Sequence, residues 1–243
     1  MTCDLERVYG ALAAALPQCE PGAEDWDTLV LSRANVPRPP RSLRTDRIHV
    51  ERGTHSYGSI VADHAYVSFR ERATARHLGL AIVGTVLHRL PATAEIGLTV
   101  PGSDVVRLRV TYEHVAPDSA AASGHAYWAR PEFVTYSPAT AERHPDKPEG
   151  LGGVEARITT EDDDGVVVGH PDLAPPAEAR DTLTGFGSAE ASLWFATTLL
   201  DLGAPNAAEN EVVLENDAGF GGVTLHGCEL TLSTPGAAWW SGF

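Results

Sequence analysis

The sequence predicts an α+β fold made of two pseudo-repeated units of antiparallel hairpins, each packed with one helix. Three observations carry this. Residues 73–90 form a long apolar run at helical spacing, followed by Ala94-Glu95-Ile96-Gly97-Leu98, a Pro101-Gly102 turn and an alternating run over 105–115. About 115 residues further on the order recurs, and self-similarity at a fixed offset marks a duplicated structural unit: residues 189–202, then Asn210-Glu211-Val212-Val213-Leu214, a Gly-rich turn and a strand-like run over 223–232. Finally, 243 residues that are 43% hydrophobic supply the core of one large domain or two ordinary ones.

The elements follow in order. Residues 5–16 place apolar and small side chains at helical spacing, and Pro17 and Pro21-Gly22 end that helix. Trp26, Leu29, Val30 and Leu31 mark a short strand within 25–32. Val36-Pro37-Arg38-Pro39-Pro40-Arg41 is too rich in proline for a helix or a central strand and reads as a stiff, extended connector. Ile48 and Val50, Ile60-Val61, and Tyr66-Val67-Ser68-Phe69 then give strands, before the helix at 73–90. Along 105–115, Val106, Leu108, Val110 and Tyr112 share one face, while Arg107, Arg109, Thr111 and Glu113 take the other. That alternation predicts an antiparallel strand wetted on one side.

A stretch rich in Ala, Ser, Pro and His follows, carrying Tyr127, Trp128, Phe133 and Tyr136. The second unit opens with a strand at 154–160 and turns at Glu161-Asp162-Asp163-Asp164-Gly165. It returns through 166–168, since Asp-Gly between β-rich runs is a hairpin signal. A loop over 170–180 holds Pro171, Pro175 and Pro176, and Ser188 is placed to cap the next helix. The predicted organisation is an N-terminal helix and connector (1–40), a first unit (41–118), a loop-rich connection (119–153) and a second unit (154–243). The two units can combine in one compact domain.

Charge and composition narrow the function. With 18 basic against 33 acidic residues the chain carries a net charge of −15, which repels nucleic-acid phosphates and anionic membranes and favours a cationic partner. Lys147 is the sole lysine, so no Walker lysine is present, and Schiff-base chemistry and covalently held pyridoxal phosphate are disfavoured unless Lys147 serves them from its Pro-flanked loop. Cys3, Cys19 and Cys228 show no metal spacing and suit a reducing compartment. The first helix carries Asp4, Glu6 and Arg7, unlike a secretory signal, and no apolar run reaches the ~20 residues of a membrane span. A cytoplasmic, soluble protein is the expectation.

Candidate sites are few. On the helix at 73–90, Arg70, His77 and His88 fall within a narrow arc, with the small residues Ala73, Ala81 and Gly84 beside them leaving room above. Leu78, Ile82, Val86 and Leu90 lie opposite, so this face is predicted to be solvated or to line a groove. His77 and His88 are eleven residues apart, about 16 Å along the axis, too far to share a metal. Proton transfer there needs a partner such as Glu71, His55 or His64. Residues 54–64 also gather hydroxyls, His55, His64 and Asp63, the residue types of a Ser-His-Asp relay, without the GxSxG elbow.

His-Pro-Asp occurs at 144–146 and 170–172; two such loops could present His and Asp to a divalent metal, but turn formation alone explains both. The acidic stretch 161–165 lacks the spacing of a calcium-binding loop. Gly185-Phe186-Gly187-Ser188 enters a predicted helix and could offer amides to an anion. No cofactor and no metal are expected. The chain ends in Trp239, Trp240 and Phe243, which with Trp194 are candidate partner-binding anchors. The leading reading is therefore a non-enzymatic acidic protein that engages a more basic protein, as immunity proteins, inhibitors or dedicated chaperones do. The alternative is an enzyme or ligand-binding protein for a small anionic molecule, with a groove lined by Arg70, His77 and His88 and faced by His55 and His64. A homo-oligomeric structural protein is the third.

Overall fold

The computed structural model describes residues 4–17, 29–57, 60–88, 93–113, 133–136, 154–161, 180–214 and 225–237. Among them are three helices: α1 (Asp4–Ala15), α2 (Arg72–Leu87) and α3 (Ala189–Leu202). The strands are β1 (Leu29–Ser32), β2 (Ser42–Arg44), β3 (Ile48–Tyr57), β4 (Ile60–Phe69), β5 (Thr93–Thr99), β6 (Val105–Glu113), β7 (Phe133–Tyr136), β8 (Val154–Glu161), β9 (Arg180–Ser188), β10 (Glu211–Leu214), β11 (Leu225–Gly227) and β12 (Glu229–Ser233). The molecule is thus mixed α and β, and no helix among the described residues is long and apolar enough to cross a membrane.

The strands form a six-stranded sheet in the order β11-β8-β9-β6-β5-β2, a four-stranded sheet β10-β12-β4-β3 and a two-stranded ribbon β1-β7. The expectation that the sheets would be antiparallel is corrected. β4 runs parallel to β12, β6 runs parallel to β9, and β2 and β11 join the large sheet in parallel as well. Local hairpins such as β3-β4 and β5-β6 remain antiparallel, because short turns permit nothing else. The parallel joints link strands far apart in sequence, so each large sheet draws on both 41–118 and 154–243. The predicted return strand at 166–168 lies outside the described residues; the partner seen for β8 is β9.

Period-two patterning sets the core face of each sheet. Ala65, Val67 and Phe69 of β4 and Leu230 and Leu232 of β12 are buried, as are Leu98 of β5, Leu108 of β6 and Leu183 of β9. The helices lie against these faces. α2 follows β4 after only two residues and is buried from Thr74 to Leu87 without interruption. A helix apolar nearly all round belongs inside a protein, and each fully enclosed Leu or Ile there contributes about 1.5–3 kcal/mol. The solvated face expected for this helix does not exist.

Two glycines let neighbours come close enough to cover α2. A Cβ on Gly79 would stand 2.9 Å from the Ala196 carbonyl oxygen of α3, and one on Gly84 would stand 2.8 Å from the Pro37 carbonyl oxygen. Arginines then satisfy carbonyls that the helix ends leave open. Arg76, buried within α2, donates to Ala13 at the end of α1 (3.3 Å), to Leu200 at the end of α3 (3.3 Å) and to Pro17 (2.8 Å). Arg72 donates to the Leu202 and Ala204 carbonyls beyond α3, and Arg33 to Leu87 at the end of α2. Each guanidinium sits where the helix dipole is negative, so charge and hydrogen bonding act together.

Candidate functional site

The structure disperses the helix-face constellation. Arg70 precedes α2 and is exposed. His77 is buried, and the described residues offer its Nδ1 no hydrogen-bond partner. Desolvation lowers its pKa, an effect that Glu6 and Glu71 oppose and Arg47 reinforces, so the imidazole is held neutral. His88 forms the C-cap of α2, and its Nε2–H donates to the Val36 carbonyl at 2.6 Å. The room above Gly84 is taken by the chain itself: the Pro-rich connector crosses there, and the Tyr9 hydroxyl donates to Pro37 at 3.3 Å. Small residues on a helix leave space for a ligand or for a segment of the same chain, and here the segment fills it.

His64 has a different outcome. It lies on β4 directly opposite Glu229 of β12, with Thr231 two residues along on the same face. His64 Nε2 is 2.8 Å from Thr231 Oγ1, and Nδ1 is 3.3 Å from Glu229 Oε2, an ion-pair distance without hydrogen-bond alignment. The ring stacks on Tyr66 with centroids 4.3 Å apart, and the Ser68 and Ser233 hydroxyls share a hydrogen bond of 3.0 Å further along the same two strands. Hydroxyl, imidazole and carboxylate stand in the order used to activate a nucleophile. Yet Thr231, His64 and Glu229 are only 2%, 3% and 1% exposed, so no substrate reaches them in this state. Their evident effect is to fasten β4 to β12. Neighbouring Cys228 is buried too, and desolvation pushes its thiol up to about 12, which keeps it protonated and unreactive.

His55 lies in β3 opposite Ala62, on the hairpin that carries His64. Among the candidate catalytic residues whose side chains are described, His64 is the one gathered into a polar cluster. Glu229 and Thr231 are not legible as a site in the sequence. The available signal was Glu229-Leu230-Thr231-Leu232-Ser233, whose alternation marks a strand with one polar face but does not name the neighbouring strand.

The remaining candidates divide similarly. Trp194 of α3 is half-buried and packs against the core. Trp239, Trp240 and Phe243, both His-Pro-Asp tripeptides and residues 162–165 of the acidic stretch lie outside the described residues. Gly185 and Gly187 sit within β9, in register with Val110 and Tyr112 of β6, and do not form a loop that presents amides at a helix start. Among the described residues no group of three or more His, Cys, Asp or Glu side chains is placed to hold a metal.

Two further features lie between the large sheets. Where the two large sheets meet, a cavity of about 50 Å³ is lined by Val67, Leu78, Leu108, Phe195, Leu230 and other apolar residues. Nearby, Arg52 of β3 bridges Asp63 at 3.5 Å and Asp181 of β9 at 3.2 Å, an ion triad that joins the two sheets.

The β1-β7 ribbon has two contrasting faces. Leu31, Val134 and Tyr136 on the inner face are buried, whereas Val30 and Phe133 on the outer face are 50% and 47% exposed. The ribbon is tethered at both ends. Asn35 accepts from the Ser32 amide and donates to the Val30 carbonyl, both at 2.7 Å, and Tyr136 donates to Asp201 of α3 at 3.0 Å. Comparison with protein-family models, curated proteins and solved structures finds no match to this chain.

Proposed function

We propose that this is a binding protein that engages a more basic protein, using the outer face of the β1-β7 ribbon as its anchor. The observation that carries the reading is the pair Val30 and Phe133, two large apolar side chains half exposed on a ribbon whose other face is buried. Aromatic and aliphatic anchors on a tethered backbone lose little conformational freedom on docking, which favours tight association. The net charge of −15 supplies the long-range term: it speeds encounter with a cationic surface and turns away acidic ones.

The test is affinity capture from the native host at low and at moderate salt, with the wild-type protein beside a Val30→Ser/Phe133→Ser variant. One basic protein should be retained by the wild type, released as salt rises, and lost from the variant. Retention of the same protein by both would remove the ribbon from the reading, and an acidic partner would remove the charge argument.

We also infer that the chain is a duplication whose halves have exchanged hairpins. β3-β4-α2-β5-β6 and β8-β9-α3-β10-β12 follow a similar order along the sequence, the second with the three-residue strand β11 inserted between β10 and β12. In each large sheet one half's first hairpin lies beside the other half's last: β3-β4 next to β12-β10, and β8-β9 next to β6-β5. An exchanged arrangement leaves neither half with a complete core. Residues 1–118 and 154–243 produced separately should therefore lack cooperative thermal unfolding and regain it when mixed. Independent folding of either piece would count against the exchange.

A further inference from the structure

We propose that the partner attaches through an extended basic segment, which pairs as an added strand along the outer edge of β7. This deepens the ribbon reading and rests on it. The hydrogen bonds of the β1-β7 ribbon show which of its edges is open. Asn35 accepts the Ser32 amide on Oδ1 and donates from Nδ2 to the Val30 carbonyl, each at 2.7 Å. Val30 and Ser32 therefore turn their backbone groups away from β7. In an antiparallel pair, directly opposed residues bond each other or face away together. Val30 with Thr135 and Ser32 with Phe133 face away, so Leu31 with Val134 and Leu29 with Tyr136 carry the ladder.

The two edges of the ribbon differ. On β1 the Asn35 amide stands where a neighbouring strand's peptide group would, bonding one residue's carbonyl and the N–H two residues on. The Ser32 carbonyl is taken as well, by the amides of Asn35 (3.1 Å) and Val36 (2.8 Å). That edge is closed by the chain's own turn. On β7 the N–H and C=O groups of Phe133 and Thr135 point outward. Among the described residues β1 is the only strand paired with β7, and no other backbone group bonds these outward ones. Open edges invite strand addition, and proteins commonly blunt them. Here one edge is blunted and the other is not.

The edge selects the form of its occupant. Each outward residue offers one donor and one acceptor at strand spacing, which an extended segment can meet. A helix cannot, because its own backbone groups are already bonded along its axis. Side chains of the added strand that fall on the outer face would stand beside the half-exposed Phe133 and widen its apolar platform. The net charge of −15 makes lysine and arginine the complementary residues at the other positions.

Isothermal titration with a short peptide of alternating lysine and valine tests this, beside its glutamate-valine counterpart. Amide hydrogen exchange at Phe133 and Thr135 supplies a second readout. Saturable binding of the lysine peptide is expected, with slowed exchange at both amides. Thr135→Pro removes an outward N–H that the β1 ladder does not use, and should weaken binding roughly tenfold with the melting profile kept. Should proline disrupt the ribbon, exchange in the wild type still decides. Absence of saturable binding, unprotected amides at Phe133 and Thr135, or equal binding of the glutamate peptide would overturn the proposal. Loss of the peptide from Val30→Ser/Phe133→Ser but not from a folded Thr135→Pro would overturn the edge and leave the ribbon face standing. Capture from the host reads the face alone, so the two readings fail separately.

Discussion

Two central strips of the large sheets, the β4-β12 joint and the β6-β9-β8 strands, begin from the same kind of sequence and end with different polar residues covered. On the four-stranded sheet, His64, Ser68, Glu229, Thr231 and Ser233 alternate with apolar residues and are all buried. On the six-stranded sheet, Arg107, Arg109 and Thr184 alternate in the same way and stay half exposed, with Arg157 fully so, while Thr182 beside Arg107 is buried. The buried set is short-chained, and its hydroxyls and imidazole find partners across the β4-β12 joint. The accessible set is guanidinium-rich, and long cationic side chains retain hydration that burial would remove. Polar alternation therefore marks a strand; side-chain length and partner supply decide whether that face can be covered.

The contrast can be broken at its strongest point first. Glu229→Leu leaves His64 and Thr231 buried beside an apolar group, and should cost about 3 kcal/mol in urea denaturation, because breaking a buried pair strands its partner. Removing both groups in His64→Leu/Glu229→Leu should restore part of that loss. A single variant as stable as the wild type would show that the cluster does not fasten the two strands.

His77 sharpens the comparison within the buried set, since it has no partner for Nδ1 where His64 has Thr231 and Glu229 around it. Its folded pKa is lowered by desolvation, so the unfolded chain takes up a proton at higher pH than the native state does. Stability is full above about pH 6.5 and falls as pH drops from there towards the folded pKa, by up to about 1.4 kcal/mol per pH unit. Denaturation midpoints followed from pH 7.5 to 5 should show this decline, and His77→Leu should flatten it. A slope that survives the substitution would assign the acid sensitivity elsewhere.

The smallest effect belongs to the accessible face. Arg157→Gln should change stability by less than about 0.5 kcal/mol, since exposed charges contribute little. A loss comparable to that of Glu229→Leu would erase the distinction between the two faces.

Much of the local structure was legible beforehand because it depends on local rules. The helix predicted at 189–202 has those bounds, and the proline connector and the β5-β6 hairpin lie where turn chemistry puts them. The periodicity at 73–90 marks a helix but not what covers its surface. Its arc of Arg70, His77, His88 and small residues resembles a wet face, yet Gly84 meets the connector and Gly79 meets α3. Arg76 carries no signal in the sequence, because a lone arginine in an apolar helix has many explanations. Only the three carbonyls it reaches reveal its task.

The sequence by itself determined the mixed helix and strand content and the acidic charge, since these follow from periodicity, turn residues and counting. The tertiary structure alone decided which strands became neighbours, that α2 would be enclosed, and that His64 would meet Thr231 from 167 positions away. Such contacts depend on the free energy of assembling distant segments at once, and periodicity within one segment carries no record of it.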